Sequence, residues 1–175
     1  MGHASLSNVA SESFGNQVSA LVGDTPAEEN AGMPAWATTT LLPYFATWLQ
    51  SYPGKYVTIN LGTNDAASGV SPSAFYANMS TLVQDVLALG KTPVVPTIPW
   101  SRDPWHAQHI PALNAEIHHL YHTCPAVIPG PDLFTFFNDH QDYISADNVH
   151  PTEAGYAALR TLWAAVAAQS IYQRK

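Results

Sequence analysis

Lys55-Tyr56-Val57-Thr58-Ile59-Asn60-Leu61-Gly62-Thr63-Asn64-Asp65 runs from a short β-branched and aromatic segment into a glycine followed by polar residues. Such a run reads as a buried strand. Gly62-Thr63-Asn64-Asp65 then lies just past its carboxyl end, the edge of a parallel sheet where ligands gather. From there the Asn64 side-chain amide can be aimed at a developing oxyanion, and Gly62 lets the backbone come close to a substrate. The same four residues would also serve as an Asx-turn closing the strand.

Outward from this strand, apolar runs alternate with amphipathic stretches in the rhythm of an α/β fold, a parallel sheet with helices on both faces. Strands are expected near 27–30, 56–61, 92–98 and 126–128, and helices near 13–22, 39–51, 73–89, 110–122 and 152–168. Gly90 suits a helix C-cap, and Ser71-Pro72-Ser73 suits a helix start. With 175 residues, 46% of them apolar, and no repeat or long linker, residues 1–175 are expected to form one domain.

Near the other end, Asp147-Asn148-Val149-His150-Pro151 sets a carboxylate three residues ahead of a histidine, and the proline turns the chain toward the last helix. A carboxylate so placed can accept a hydrogen bond from one imidazole nitrogen and leave the other free to take a proton from a nucleophile. His150 therefore reads as a general base and Asp147 as its orienting acid; a loop-capping role for Asp147 is the plainer alternative.

Together, Gly62-Thr63-Asn64-Asp65 and Asp147-Asn148-Val149-His150-Pro151 resemble the third and fifth sequence blocks of the SGNH (GDSL-type) hydrolase superfamily. Pro129-Gly130-Pro131-Asp132-Leu133-Phe134 and Pro151-Thr152-Glu153-Ala154-Gly155-Tyr156-Ala157-Ala158-Leu159 are similar to the wording of its bacterial secreted, carbohydrate-esterase-like members. The likeness spans about Phe14 to Trp163. It implies a three-layer, flavodoxin-like fold and a Ser-His-Asp triad, with His150 and Asp147 as two of its members and Asn64 in the oxyanion hole. The family's second block ends in a glycine whose N–H also meets the oxyanion. Asn30-Ala31-Gly32-Met33-Pro34-Ala35-Trp36 puts Ala35 there, an N–H donor that lacks glycine's freedom at positive φ.

The family's first block, Gly-Asp-Ser after a central first strand, does not stand here in that form. Gly2-His3-Ala4-Ser5-Leu6-Ser7 resembles its Asp-Ser-Leu-Ser variant, with Ser5 as nucleophile and Ala4 in the aspartate's place. In a second alignment Phe14-Gly15-Asn16-Gln17-Val18-Ser19-Ala20-Leu21 is the first helix and Met1 lies past the block. The domain is then N-terminally truncated, its first central strand missing or supplied from elsewhere, by a second copy or a complementing N-terminal segment. Two expectations follow. One is a serine esterase for short acyl groups, such as acetyl, on carbohydrate. The other is a catalytically silent or split relative that binds ligand. A lipid or lysophospholipid esterase is a further alternative, although no long apolar lid is visible.

Trp100 and Trp105 follow the strand near 92–98 and Trp36 adjoins Ala35; all three are candidates to line the substrate, or else they pack their own loops. Six basic against thirteen acidic residues give a net charge of −7, and without a Lys/Arg cluster nucleic acid is an unsuitable partner. No apolar run is long enough for a membrane span, and no basic-then-apolar export segment is present. Only 11% of residues are charged, a style common in secreted bacterial enzymes. His118 and His122 stand four apart and His106 and His109 three apart, but without the glutamate of a zinc protease they read as a solvated face, so no metal or other cofactor is assigned. Cys124, the single cysteine, reads as a small packing residue.

Overall fold

The computed structural model describes residues 13–23 and 26–172. Within them the chain forms α1 (Phe14–Val22), α2 (Thr38–Leu49), β1 (Tyr56–Thr58), α3 (Thr63–Ala67), α4 (Pro72–Ala88), β2 (Thr92–Val95), α5 (Pro104–Thr123), β3 (Ile128–Pro129), α6 (Leu133–Asp139) and α7 (Glu153–Ala167), with a short 3₁₀ turn at Gln141–Tyr143. The three strands lie side by side in the order β1-β2-β3, all parallel, with Thr58 opposite Val94 and Val94 opposite Ile128.

Parallel neighbours need a crossover, and α4 and α5 supply the two crossovers here. Successive strand residues point to opposite faces, yet Pro93, Val94 and Val95 of β2 are all buried, so helices cover the sheet on both sides. The main core joins β2 and its extension at Ile98 to Phe75, Met79, Leu82 and Val86 of α4 and to Ile110, Leu113, Ile117 and Leu120 of α5. Each of these large side chains contributes about 1.5–3 kcal/mol by leaving water. A second cluster gathers Leu133, Phe137, Ile144 and Leu159, and a third packs Val18 of α1 against Ala164 and Ala167 of α7.

The strands are shorter than the sequence suggests because the chain leaves the ladder early. Ile59 still donates its N–H to the Val94 carbonyl at 2.9 Å, but Gly62, at φ 116°, then turns the chain into α3. Beyond Val95 the backbone of Ile98 pairs with a side chain instead: buried Asn114 accepts from its N–H at 2.7 Å and donates to its carbonyl at 3.1 Å. Residues 27–30, expected as a strand, form no ladder among the described residues. Glu28 instead accepts a hydrogen bond from Gly15 at the start of α1. α5 begins six residues before its expected start, at the Asp103 cap and Pro104, and simply carries Pro111 within it. α3 and α6, of five and seven residues, are too short to show a helical period.

Candidate active site

The 144–151 loop brings Asp147 and His150 together by local geometry. Asp147 Oδ1 accepts from Ser145 Oγ at 2.8 Å and from the N–H groups of Val149 and His150, each at 2.9 Å, while Oδ2 lies 2.6 Å from His150 Nδ1. The Val149 N–H foremost, then those of His150 and the Ser145 hydroxyl, hold the Asp147 carboxyl well below the usual carboxylate range. An ionised Asp147 fixes the imidazole with its proton on Nδ1. Nε2 makes no hydrogen bond among the described residues, and the His150 side chain is 57% exposed. Asp147 is thus both the loop cap and the partner of the ring.

The loop is pinned from below. Ser145 N–H donates to the His150 carbonyl at 2.8 Å, and Thr152 caps α7 by accepting from Gly155 N–H at 3.1 Å. A β-carbon on Gly155 would collide with the Tyr143 carbonyl, so glycine lets α7 start directly beneath the loop. Asn148, at φ 67°, turns its carbonyl toward the segment after β2, where Ser101 Oγ, Arg102 N–H and Asp103 N–H donate to it at 2.8, 2.9 and 3.2 Å. Asparagine is among the few residues that take this left-handed geometry readily.

Asn64 stands in the first turn of α3, past the carboxyl end of β1, and donates through Nδ2 to the Trp36 carbonyl at 3.1 Å. A side-chain amide has two N–H bonds, so one is left for a ligand. Its neighbour Asp65 is fully buried and caps a different helix: both its oxygens accept from Thr38 N–H at 3.1 Å, and the Thr38 hydroxyl, itself held by Asn78 at 2.8 Å, also donates to it. Burial pushes the Asp65 carboxyl above its ordinary value against these hydrogen bonds. This contact ties the start of α2 to α3 and sets the Ala35-Trp36 turn beside Asn64. Ala35 adopts φ 62°, a left-handed conformation that costs a non-glycine residue about 1–2 kcal/mol. The freedom that alanine lacks is therefore the one this position uses.

Gly62 makes a close approach, but to protein: a β-carbon there would lie inside the Ile98 side chain and 3.3 Å from Phe75. Trp100 packs against the second core cluster. Trp105 is half exposed, donates its indole N–H to the Ala66 carbonyl of α3 at 2.9 Å and lies tilted against His109, ring centroids 4.2 Å apart. Segment 101–105 therefore touches the Asn64 helix at one end and the His150 loop at the other, which places both at the carboxyl edge of the sheet. Ser5 lies outside the described residues. Among the described residues no cluster of three or more His, Cys, Asp or Glu side chains converges as a metal site would require. Sequence reasoning missed Thr38, Ser101 and Asn114, which position the site through contacts far along the chain.

Residues 4–158 match the GDSL-like Lipase/Acylhydrolase family. Among solved structures, the lipase/acylhydrolase from Enterococcus faecalis is similar with a TM-score of 0.77 and 20% identity, over 93% of this chain and 88% of that one. A lipolytic protein of the G-D-S-L family from Veillonella parvula DSM 2008 superposes with a TM-score of 0.71 at 15% identity, over 95% and 91% of the two chains. Axe2, an acetylxylan esterase from Geobacillus stearothermophilus, gives 0.73 at 17% identity, over 87% and 80%. No curated protein matches the sequence.

Proposed function

Because the chain belongs to the GDSL-like lipase/acylhydrolase family, we propose that it is a serine esterase that removes short acyl groups, such as acetyl, from carbohydrate. The observation that carries this reading is the Asp147-His150 pair at 2.6 Å, with the far nitrogen of the imidazole open. In the proposed reaction the serine oxygen attacks the acyl carbonyl and its proton passes to His150 Nε2. Asp147 balances the positive charge that the ring acquires. The carbonyl electrons move onto oxygen, and the second N–H of Asn64 and the backbone N–H of Ala35 donate hydrogen bonds to that oxyanion. Collapse of this intermediate expels the alcohol, which takes the proton from His150, and water repeats the sequence on the acyl-enzyme. Ser5 is the proposed nucleophile, and Trp105, fixed beside α3, the proposed wall of the substrate site. The acyl and sugar assignments draw on the motif wording and on the acetylxylan esterase among the structural neighbours.

The test is labelling with a fluorophosphonate followed by peptide mapping. An adduct on Ser5 that disappears in His150→Ala supports the triad as written. One observation favours a second reading. Among the described residues β1 is paired on one side only, so its other edge offers N–H and C=O groups to a further strand. In that reading a complementing segment brings the serine, and the purified chain neither labels nor turns over until the segment is supplied.

A further inference from the structure

From Asn30 to Gly54 the chain carries no charged residue and no histidine, yet it holds five aromatic ones, Trp36, Tyr44, Phe45, Trp48 and Tyr52. Phe45 packs on the main core. Trp36, Tyr44 and Trp48 instead gather with one another, their ring centroids 5.2 to 5.7 Å apart, and the Trp36-Trp48 and Tyr44-Trp48 planes are within 24° of parallel. Tyr44 and Trp48 are four apart on α2 and so share a face, and Tyr44 is 51% exposed. Beside them lies a cleft of about 370 Å³ lined by Asn30, Gly32, Met33, Trp48, Ser51 and Tyr52. The cluster adjoins the candidate active site directly, since the Trp36 carbonyl is the acceptor for Asn64.

We propose that this aromatic cluster and its cleft form a subsite for a neutral carbohydrate. An aromatic face is electron-rich and attracts the weakly positive C–H face of a sugar ring, while the hydroxyls at the ring's edge need polar partners. Ser51, Tyr52 and Asn30, whose amide oxygen also accepts from Gly32 N–H at 2.8 Å, are the polar residues of the cleft lining. A phosphorylated or acidic ligand would need free cations: residues 30–54 carry none, and the nearby Lys91 ammonium is engaged by the Tyr52 and Gly54 carbonyls, each at 2.6 Å. An acyl chain would be held by a wholly apolar lining, which the cleft lacks. The subsite deepens the esterase reading by naming the alcohol side of the ester, and it rests on that reading only for its link to catalysis.

The experiment is a titration of the whole chain with xylohexaose, followed by tryptophan fluorescence and by calorimetry. Saturable binding is expected, insensitive to salt, and weakened about tenfold or more in Tyr44→Ala and in Trp48→Ala. Tyr44 is a half-exposed helix residue, so circular dichroism of its variant should match the wild type; Trp48→Phe, which keeps a flat ring, should recover part of the affinity. No saturable response, or equal affinity in both alanine variants, overturns the proposal. So does binding of trigalacturonate as tight as that of xylohexaose, or a dimer that Tyr44→Ala dissociates in sedimentation, which would assign the rings to self-association. Xylohexaose carries no acyl group, so this result is separate from hydrolysis: binding without turnover keeps the subsite and removes the catalytic reading, and turnover without binding does the reverse.

Discussion

At the scale of single residues, the proposed chemistry divides between a proton acceptor, the acid that aims it and a donor to the oxyanion. Asp147 makes four hydrogen bonds, one of them to the ring, so replacing it with asparagine exchanges a charged acceptor for a neutral one and can reverse the tautomer. Asp147→Asn is expected to lower kcat roughly 10²- to 10⁴-fold with KM nearly unchanged, read by steady-state hydrolysis of p-nitrophenyl acetate. Asn64→Ala is expected to lower kcat about 10²- to 10³-fold, because its N–H matters most when negative charge has formed on the carbonyl oxygen. An equal rise in KM instead would mean that Asn64 binds the substrate in its ground state. The Asp147-His150 contact was legible in the sequence because it acts over three positions of one loop, whereas the partner of Asn64, the Trp36 carbonyl, lies 28 positions away. Trp100 shows where such reading stops: its neighbours come from α6, α7 and the loop between them, and only folding brings them to it.

At the scale of elements, the start of α2 is held by two unusual features, a strained alanine and a buried carboxylate. Ala35→Val should lose about 1–3 kcal/mol in urea unfolding, since a β-branched residue tolerates φ 62° poorly. Ala35→Gly should be neutral or gain up to about 1 kcal/mol, relief of strain being partly offset by the greater freedom of glycine in the unfolded chain. Asp65 gives a prediction about pH. Its folded-state pKa is raised above the ordinary 3.8, so the folded protein holds this proton more tightly than the unfolded chain. The stability from this group is therefore complete below 3.8 and is lost as pH rises through the higher folded value. Asp65→Asn should flatten the unfolding free energy across the interval above 3.8; an unchanged slope would show that the carboxylate is not desolvated as the structure has it. Sequence offered Asp65 only as part of an Asx-turn closing the strand, and could not show that its carboxylate holds the start of a helix 27 positions earlier.

At the scale of the whole molecule, the described residues form a three-stranded parallel sheet, and the segments that carry Asn64 and His150 both lie at its carboxyl edge. The five long helices and three strands were legible from periodicity and β-branched runs, with boundaries that shifted where side chains replaced ladder bonds, as Asn114 does for Ile98. The run at 27–30 looked like a strand because its composition permits one, but a strand also needs a partner in register, which composition does not encode. What joins the Asn64 helix to the His150 loop is segment 101–105, whose contacts with Ala66 and Asn148 link residues 82 positions apart. In the proposed reaction the imidazole at one end of this segment and the amide at the other act on a single acyl group. Initial rates of p-nitrophenyl acetate hydrolysis, compared between the wild type and His150→Ala at equal folded concentration, test it most directly. A rate at least about 10³-fold lower is expected in the variant; hydrolysis by His150→Ala at the wild-type rate would remove His150 from the reaction.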